Sequence, residues 1–119
     1  MDMRLIIFAG LALAAAPAAA AGTDRPSCTL RGTHVYQRMA DVPRGAMAAL
    51  GVRMAERGQP FQATDVIMPG ERLPGARFAA ARLDGCTLTI RYERGGIAHT
   101  WNTAVIERRG IGWVVVRPR

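Results

Sequence analysis

Eight residues, CTLTIRYE from Cys86 to Glu93, alternate strictly between apolar and polar side chains. Successive side chains of a strand point to opposite faces. Cys86, Leu88, Ile90 and Tyr92 therefore line one face, and Thr87, Thr89, Arg91 and Glu93 the other. A chain with such a strand has to build a sheet that buries one side, because a lone ribbon leaves its apolar face in water. Turn signals bracket the strand. Asp84-Gly85 precedes it and Gly95-Gly96 follows it, and both pairs are favoured two-residue hairpin loops. The first brings in Ala76 to Leu83 as the preceding strand. The second sets a register in which Tyr92 faces His99, Ile90 faces Trp101, Leu88 faces Thr103 and Cys86 faces Val105. The opposite face then pairs Glu93 with Ala98, Arg91 with Thr100 and Thr89 with Asn102. A slip of one residue would exchange the two faces.

Arg108-Arg109-Gly110 turns the chain into a last strand. A three-residue loop puts Trp113 and Val115 on the core face, and a two-residue loop puts Val114 and Val116 there; both stay open. Upstream, THVYQRM (33–39) reads as a first strand. Asp41 is a good N-cap and Pro43 suits a first helical turn. Met47, Leu50 and Met54 follow as one stripe, and Gly58 is a natural stop. Gly45 and Gly51 each cost this helix ~1 kcal/mol relative to alanine, so it depends on docking. Phe61 to Met68 reads as a strand, and Met68 to Gly75, with two prolines and two glycines, as a loop. The expected fold is α+β, one helix packed on a four- to six-stranded antiparallel meander sheet, with a small β-barrel or sandwich as the alternative. No repeat is present, and no motif assigns the chain to a family.

The first 21 residues differ from the rest. Met1-Asp2-Met3-Arg4 precedes a charge-free run from Leu5 to Ala20, which ends in Ala-x-Ala patterns. This is the three-part layout of a secretory signal peptide. Residues 1–21 are expected to be the leader, and residues 22–119 a single α+β domain with residues 22 to 28 as a loose lead-in. A retained anchor is the rival reading. The run is at the short limit for spanning a bilayer and about half of it is alanine, which is weakly apolar. Cleavage leaves no membrane span and predicts a periplasmic or secreted protein. Two cysteines then remain, Cys28 and Cys86. In an oxidising compartment they are expected to form a disulfide, tying the lead-in to the middle of the sheet.

The formal net charge is +7, and all sixteen basic residues are arginine. They are scattered, with no cluster denser than Arg108-Arg109 and without the aromatic interleaving of nucleic-acid platforms. This argues against nucleic acid and for a solvated arginine-rich surface. It also argues against a basic partner.

Catalytic chemistry finds little support. Ser27 is the only serine, and His34 and His99 are the only histidines. No nucleophile, base and orienting acid come together in the sequence. Asp65, Asp84, Glu93 and Glu107 fall at turns or on the polar face, where a solvated role is expected. An enzyme would require His99 within hydrogen-bond reach of a carboxylate in an open cleft. No ligand spacing points to a metal, and no cofactor is implied. Tyr92, His99 and Trp101 are the candidate binding residues, placed by the register at the hairpin end of the apolar face. The expected function is a small exported, non-catalytic interaction protein of the cell envelope, contacting an unknown protein or envelope component. The polar Thr/Arg face or the aromatic end is its expected contact surface. The alternative is a small-ligand carrier with a pocket between helix and sheet near His99.

Overall fold

A computed structural model describes residues 28–117. The expected leader, and most of the lead-in, lie outside the described residues. Six strands and one α-helix follow in the order β1 (Thr33–Tyr36), α1 (Arg44–Leu50), β2 (Met54–Ala55), β3 (Ala76–Asp84), β4 (Thr87–Arg94), β5 (Thr100–Arg109) and β6 (Gly112–Arg117). A 3₁₀ turn, Met39–Asp41, joins β1 to the helix. The sheet order is β1-β3-β4-β5-β6, and β2 sits beside the start of β3. Every pairing is antiparallel except β2 with β3, which is parallel. The chain is thus α+β, a helix on an open meander sheet.

The alternation in β4 does what its pattern demands. Leu88 and Ile90 are fully buried and Tyr92 almost so. They meet Phe78 and Ala81 of β3, Ala104 and Ile106 of β5, and Val42, Ala46 and Met54 from the segment that crosses over them. The helix covers the β5–β6 side of this face. Gly45 permits that close approach, since a Cβ there would lie 2.9 Å from Cδ1 of Trp113.

Several expectations are corrected. The β4–β5 loop spans residues 95–99 rather than two glycines, and the register moves by three: Ile90 pairs with Ala104, Tyr92 with Asn102 and Glu93 with Trp101. An odd shift reverses the strand, so Trp101, Thr103 and Val105 face away from the core while Ala104 and Ile106 enter it. The physical cause lies at Gly95. It opens the loop without forming its tip. Its amide donates to the carbonyl of Gly75 (3.0 Å) and extends the ladder. A Cβ on it would collide with the Gln62 carbonyl and lie 2.7 Å from Cα of Ala63. The glycine is there for a crossing chain. The next loop has two residues, Gly110 and Ile111, yet Trp113 and Val115 pack on the core because β5 is itself reversed.

The β3–β4 turn is Gly85-Cys86, one residue later than expected, with Asp84 opposite Thr87. The helix starts after Pro43, without a side-chain cap from Asp41, and stops at Gly51, not Gly58. Gly51 takes a left-handed φ of 68° and its amide caps the Met47 carbonyl, the αL ending that glycine favours. Met54 consequently lies in β2. Residues 61–68 form no strand. Gln62 instead turns this stretch back on itself, its side-chain amide donating to the carbonyls of Thr64 (2.8 Å) and Val66 (2.6 Å). Cys28 and Cys86 are bonded, with Cα atoms 6.0 Å apart. Cys86 lies in the β3–β4 turn, so the bond clamps the lead-in to one end of the sheet rather than to its middle.

Candidate functional site

The two candidate aromatics of β4 and β5 part company. Tyr92 is buried in the core, only 2% exposed, and Trp101 stands on the opposite face, 53% exposed. His99 goes with Trp101, their rings edge to face at 5.9 Å. The aromatic end of the core expected from the sequence does not exist, and a pocket between helix and sheet does not reach His99. A groove of about 410 Å³ beside the helix is lined by Met39, Val42, Met47 and Met54, among others, and by none of the three candidates.

The outer face holds a different grouping. Glu93 and Arg77 pair directly across β4 and β3, and their side chains form an ion pair. The second carboxylate oxygen of Glu93 is 2.7 Å from Nε2 of His99. Glu93 is only 7% exposed, so its expected solvated role is overturned. Burial alone would raise its pKa. Hydrogen bonds from Arg77 and His99, with their charges, outweigh it and hold the carboxyl below its usual range. Phe61 closes the cluster from the crossing loop, residues 56–75 between β2 and β3, its ring 4.4 Å beneath the Arg77 guanidinium.

A β-bulge creates this meeting. Between Phe78 and Ala80 the β3–β4 register shifts by one residue. Continued without the shift, the Asp84–Thr87 register would set Arg77 opposite Arg94. The bulge sets it opposite Glu93 and exchanges like-charge repulsion for a charge-assisted bond. Neither Arg77 nor Phe61 is legible as a site residue in the sequence, because no local pattern marks the bulge.

A groove of about 350 Å³ opens beside the cluster, lined by Arg57, Gly58, Arg77, Phe78, Ala79, Glu93 and Trp101. The His99–Glu93 hydrogen bond is half of what an enzyme would require, but only Glu93 of the pair lines this groove. The lining offers no hydroxyl or thiol, and the carboxylate is shared with a guanidinium. Beyond the groove the outer face is uncovered. Arg91 stacks over the Trp101 ring at 5.0 Å with Thr103 beside it, and Val105, Val116 and, at the far end of the sheet, Val114 continue the same face. A shallow depression of about 380 Å³ continues it across Val35, Ala80, Arg82 and Thr89. Among the described residues, no group of three or more His, Cys, Asp or Glu side chains is placed to hold a metal ion. No helix among them is long and apolar enough to cross a membrane.

No protein-family profile, curated protein or solved structure matches this chain.

Proposed function

We propose that this is an exported, non-catalytic interaction protein of the cell envelope, periplasmic or secreted, which binds a protein partner through the outer face of its sheet. The observation that carries the reading is the uncovered face itself, with Trp101 and Arg91 stacked at the end that adjoins Glu93. Antiparallel sheets commonly leave one face to solvent, but that face is then polar. Here it presents a half-exposed tryptophan and three exposed valines, Val35, Val114 and Val116. Tryptophan and arginine are the residues that dominate protein interfaces. Thr103, Val105, Val114 and Val116 are β-branched and stiff, so little side-chain entropy is lost on contact. The disulfide fits export into an oxidising compartment, and the leader at residues 1–21 supplies the route.

A photo-crosslinking side chain at Thr103 tests this in envelope extracts, with the same group at Ala48, on the exposed side of the helix, as control. A discrete adduct at Thr103 is expected, weakened by about 2 kcal/mol or more in Trp101→Ala. Equal labelling from both positions would refute the reading.

The Glu93–His99 pair favours a second reading, in which the solvent-exposed His99, oriented by the carboxylate, acts as a general base toward a substrate bound over Trp101. Its test is turnover of activated esters that disappears in His99→Gln. We prefer the pair as a clamp that fixes the 95–99 loop, because Arg77 already occupies the carboxylate.

A further inference from the structure

One end of the sheet gathers the ends of β4 and β3 and the loops beside them. Four large apolar side chains project there into solvent. Ile97, at the tip of the β4–β5 loop, is 92% exposed, and Val66, Ile67 and Met68, on the crossing loop, are 63%, 71% and 56% exposed. The two loops are joined, since the Gly96 amide donates to the Ala63 carbonyl at 3.3 Å. The turn held by Gln62 keeps Val66 beside that junction. Where the two loops meet the sheet, at Gly95 and Gly75, lies a groove of about 370 Å³ that Val52, Ala76, Arg53 and Arg94 also line. Arg53 and Arg94 meet no carboxylate among the described residues. Arg53 reaches instead to the carbonyl of Arg72, 2.9 Å away. The one acid built into this end of the sheet, Glu93, is neutralised by Arg77. Asp65 and Glu71 lie on the crossing loop, so the cationic excess belongs to the groove rather than to the whole end.

We infer that this end docks on an anionic phospholipid surface, with Ile97, Val66 and Ile67 entering the headgroup–acyl boundary and Arg53 and Arg94 taking lipid phosphates. Projecting apolar tips need a medium that deforms around them, and a bilayer does so where a folded surface would need a matching cavity. Insertion gains from each buried apolar group, and arginines near an anionic surface add to it. The groove adjoins the tips through Gly75 and Gly95 and supplies what they lack, two arginines for the lipid phosphates. This surface is separate from the outer face proposed above for a protein partner, and either can fail without the other.

Vesicle co-sedimentation of the intact, disulfide-bonded protein tests it. Phosphatidylglycerol–phosphatidylethanolamine vesicles should retain it, and Ile97→Asp or Ile67→Asp should lower partitioning by about tenfold or more. Thermal midpoints of these variants should stay unchanged, since both side chains are exposed. Arg53→Glu with Arg94→Glu should abolish the preference over phosphatidylcholine vesicles. Ile111→Asp is the control, because Ile111 is equally exposed, at 96%, but sits at the opposite end of the sheet. A loss with Ile111→Asp as large as that with Ile97→Asp would overturn the inference. So would equal binding to both vesicle types, inorganic phosphate binding without vesicle binding, or self-association that Ile97→Asp abolishes.

Discussion

Individual carboxylates carry much of the local order in this chain. Glu93 binds Arg77 and His99 across the outer face. Glu56 accepts hydrogen bonds from the backbone amides of Met39 (2.6 Å) and Ala40 (3.1 Å), capping the 3₁₀ turn. Burial would raise the pKa of Glu56, but those amides, that of Arg57 and the Arg38 charge lower it on balance. Asp84 is held low by hydrogen bonds from Thr33 and Arg82. A carboxyl depressed in the folded state stabilises fully above its unfolded pKa, and that stability drains away as pH falls through the folded value. The thermal midpoint should therefore be flat above about pH 5 and fall increasingly below about pH 4. Glu93→Gln should shallow that acid limb and cost about 1–2 kcal/mol at neutral pH, read by urea titration, because a charge-assisted bond becomes neutral. An acid limb identical to wild type would remove Glu93 from the account. Gly95→Ala should cost about 1–3 kcal/mol, since its Cβ meets backbone that cannot swing aside.

At the scale of elements, the decisive event is which face of β5 turns inward. Its sequence, TWNTAVIERR, carries apolar residues at both parities, so alternation alone selects neither. The inward set is Ala104 and Ile106, both fully buried. Trp113 of β6 takes the place beneath the helix at Gly45, and the small Ala104 of β5 packs in the same core. A matched pair of substitutions reads this directly. Ile106→Ala should cost about 2–5 kcal/mol by opening a cavity, and Val105→Thr, on the outer face, under about 1 kcal/mol. Denaturant titrations giving the two costs in the reverse order would restore the register expected from the sequence. The helix and β2 teach a related lesson. Met47, Leu50 and Met54 fit one helical stripe, yet Gly51 ends the helix and Met54 reaches the core from a strand. Apolar spacing marked which residues are buried without showing which element buries them.

Across the whole molecule, the Cys28–Cys86 bond closes a separation of 58 residues. Restricting the unfolded chain to such a loop contributes about 4 kcal/mol, a large share of the ~5–15 kcal/mol by which folded domains exceed their unfolded states. Double replacement by serine should lower the urea midpoint correspondingly; a change under ~1 kcal/mol would mean that the lead-in contributes little. Several features were determined by the sequence alone: the pairing of the two cysteines, the buried stripe of Leu88, Ile90 and Tyr92, the hairpin meander, and the α+β class. Each rests on local information, a period of two, a glycine-bearing turn, or a residue type with a single partner available. The tertiary structure alone decided the bulge in β3, the use of Gly95 as a crossing point, and the side of the sheet on which His99 and Trp101 emerge. Those depend on how a loop thirty residues upstream packs against a hairpin, and no interval along the chain encodes that contact. The candidate site moved from the core to the open face for that reason.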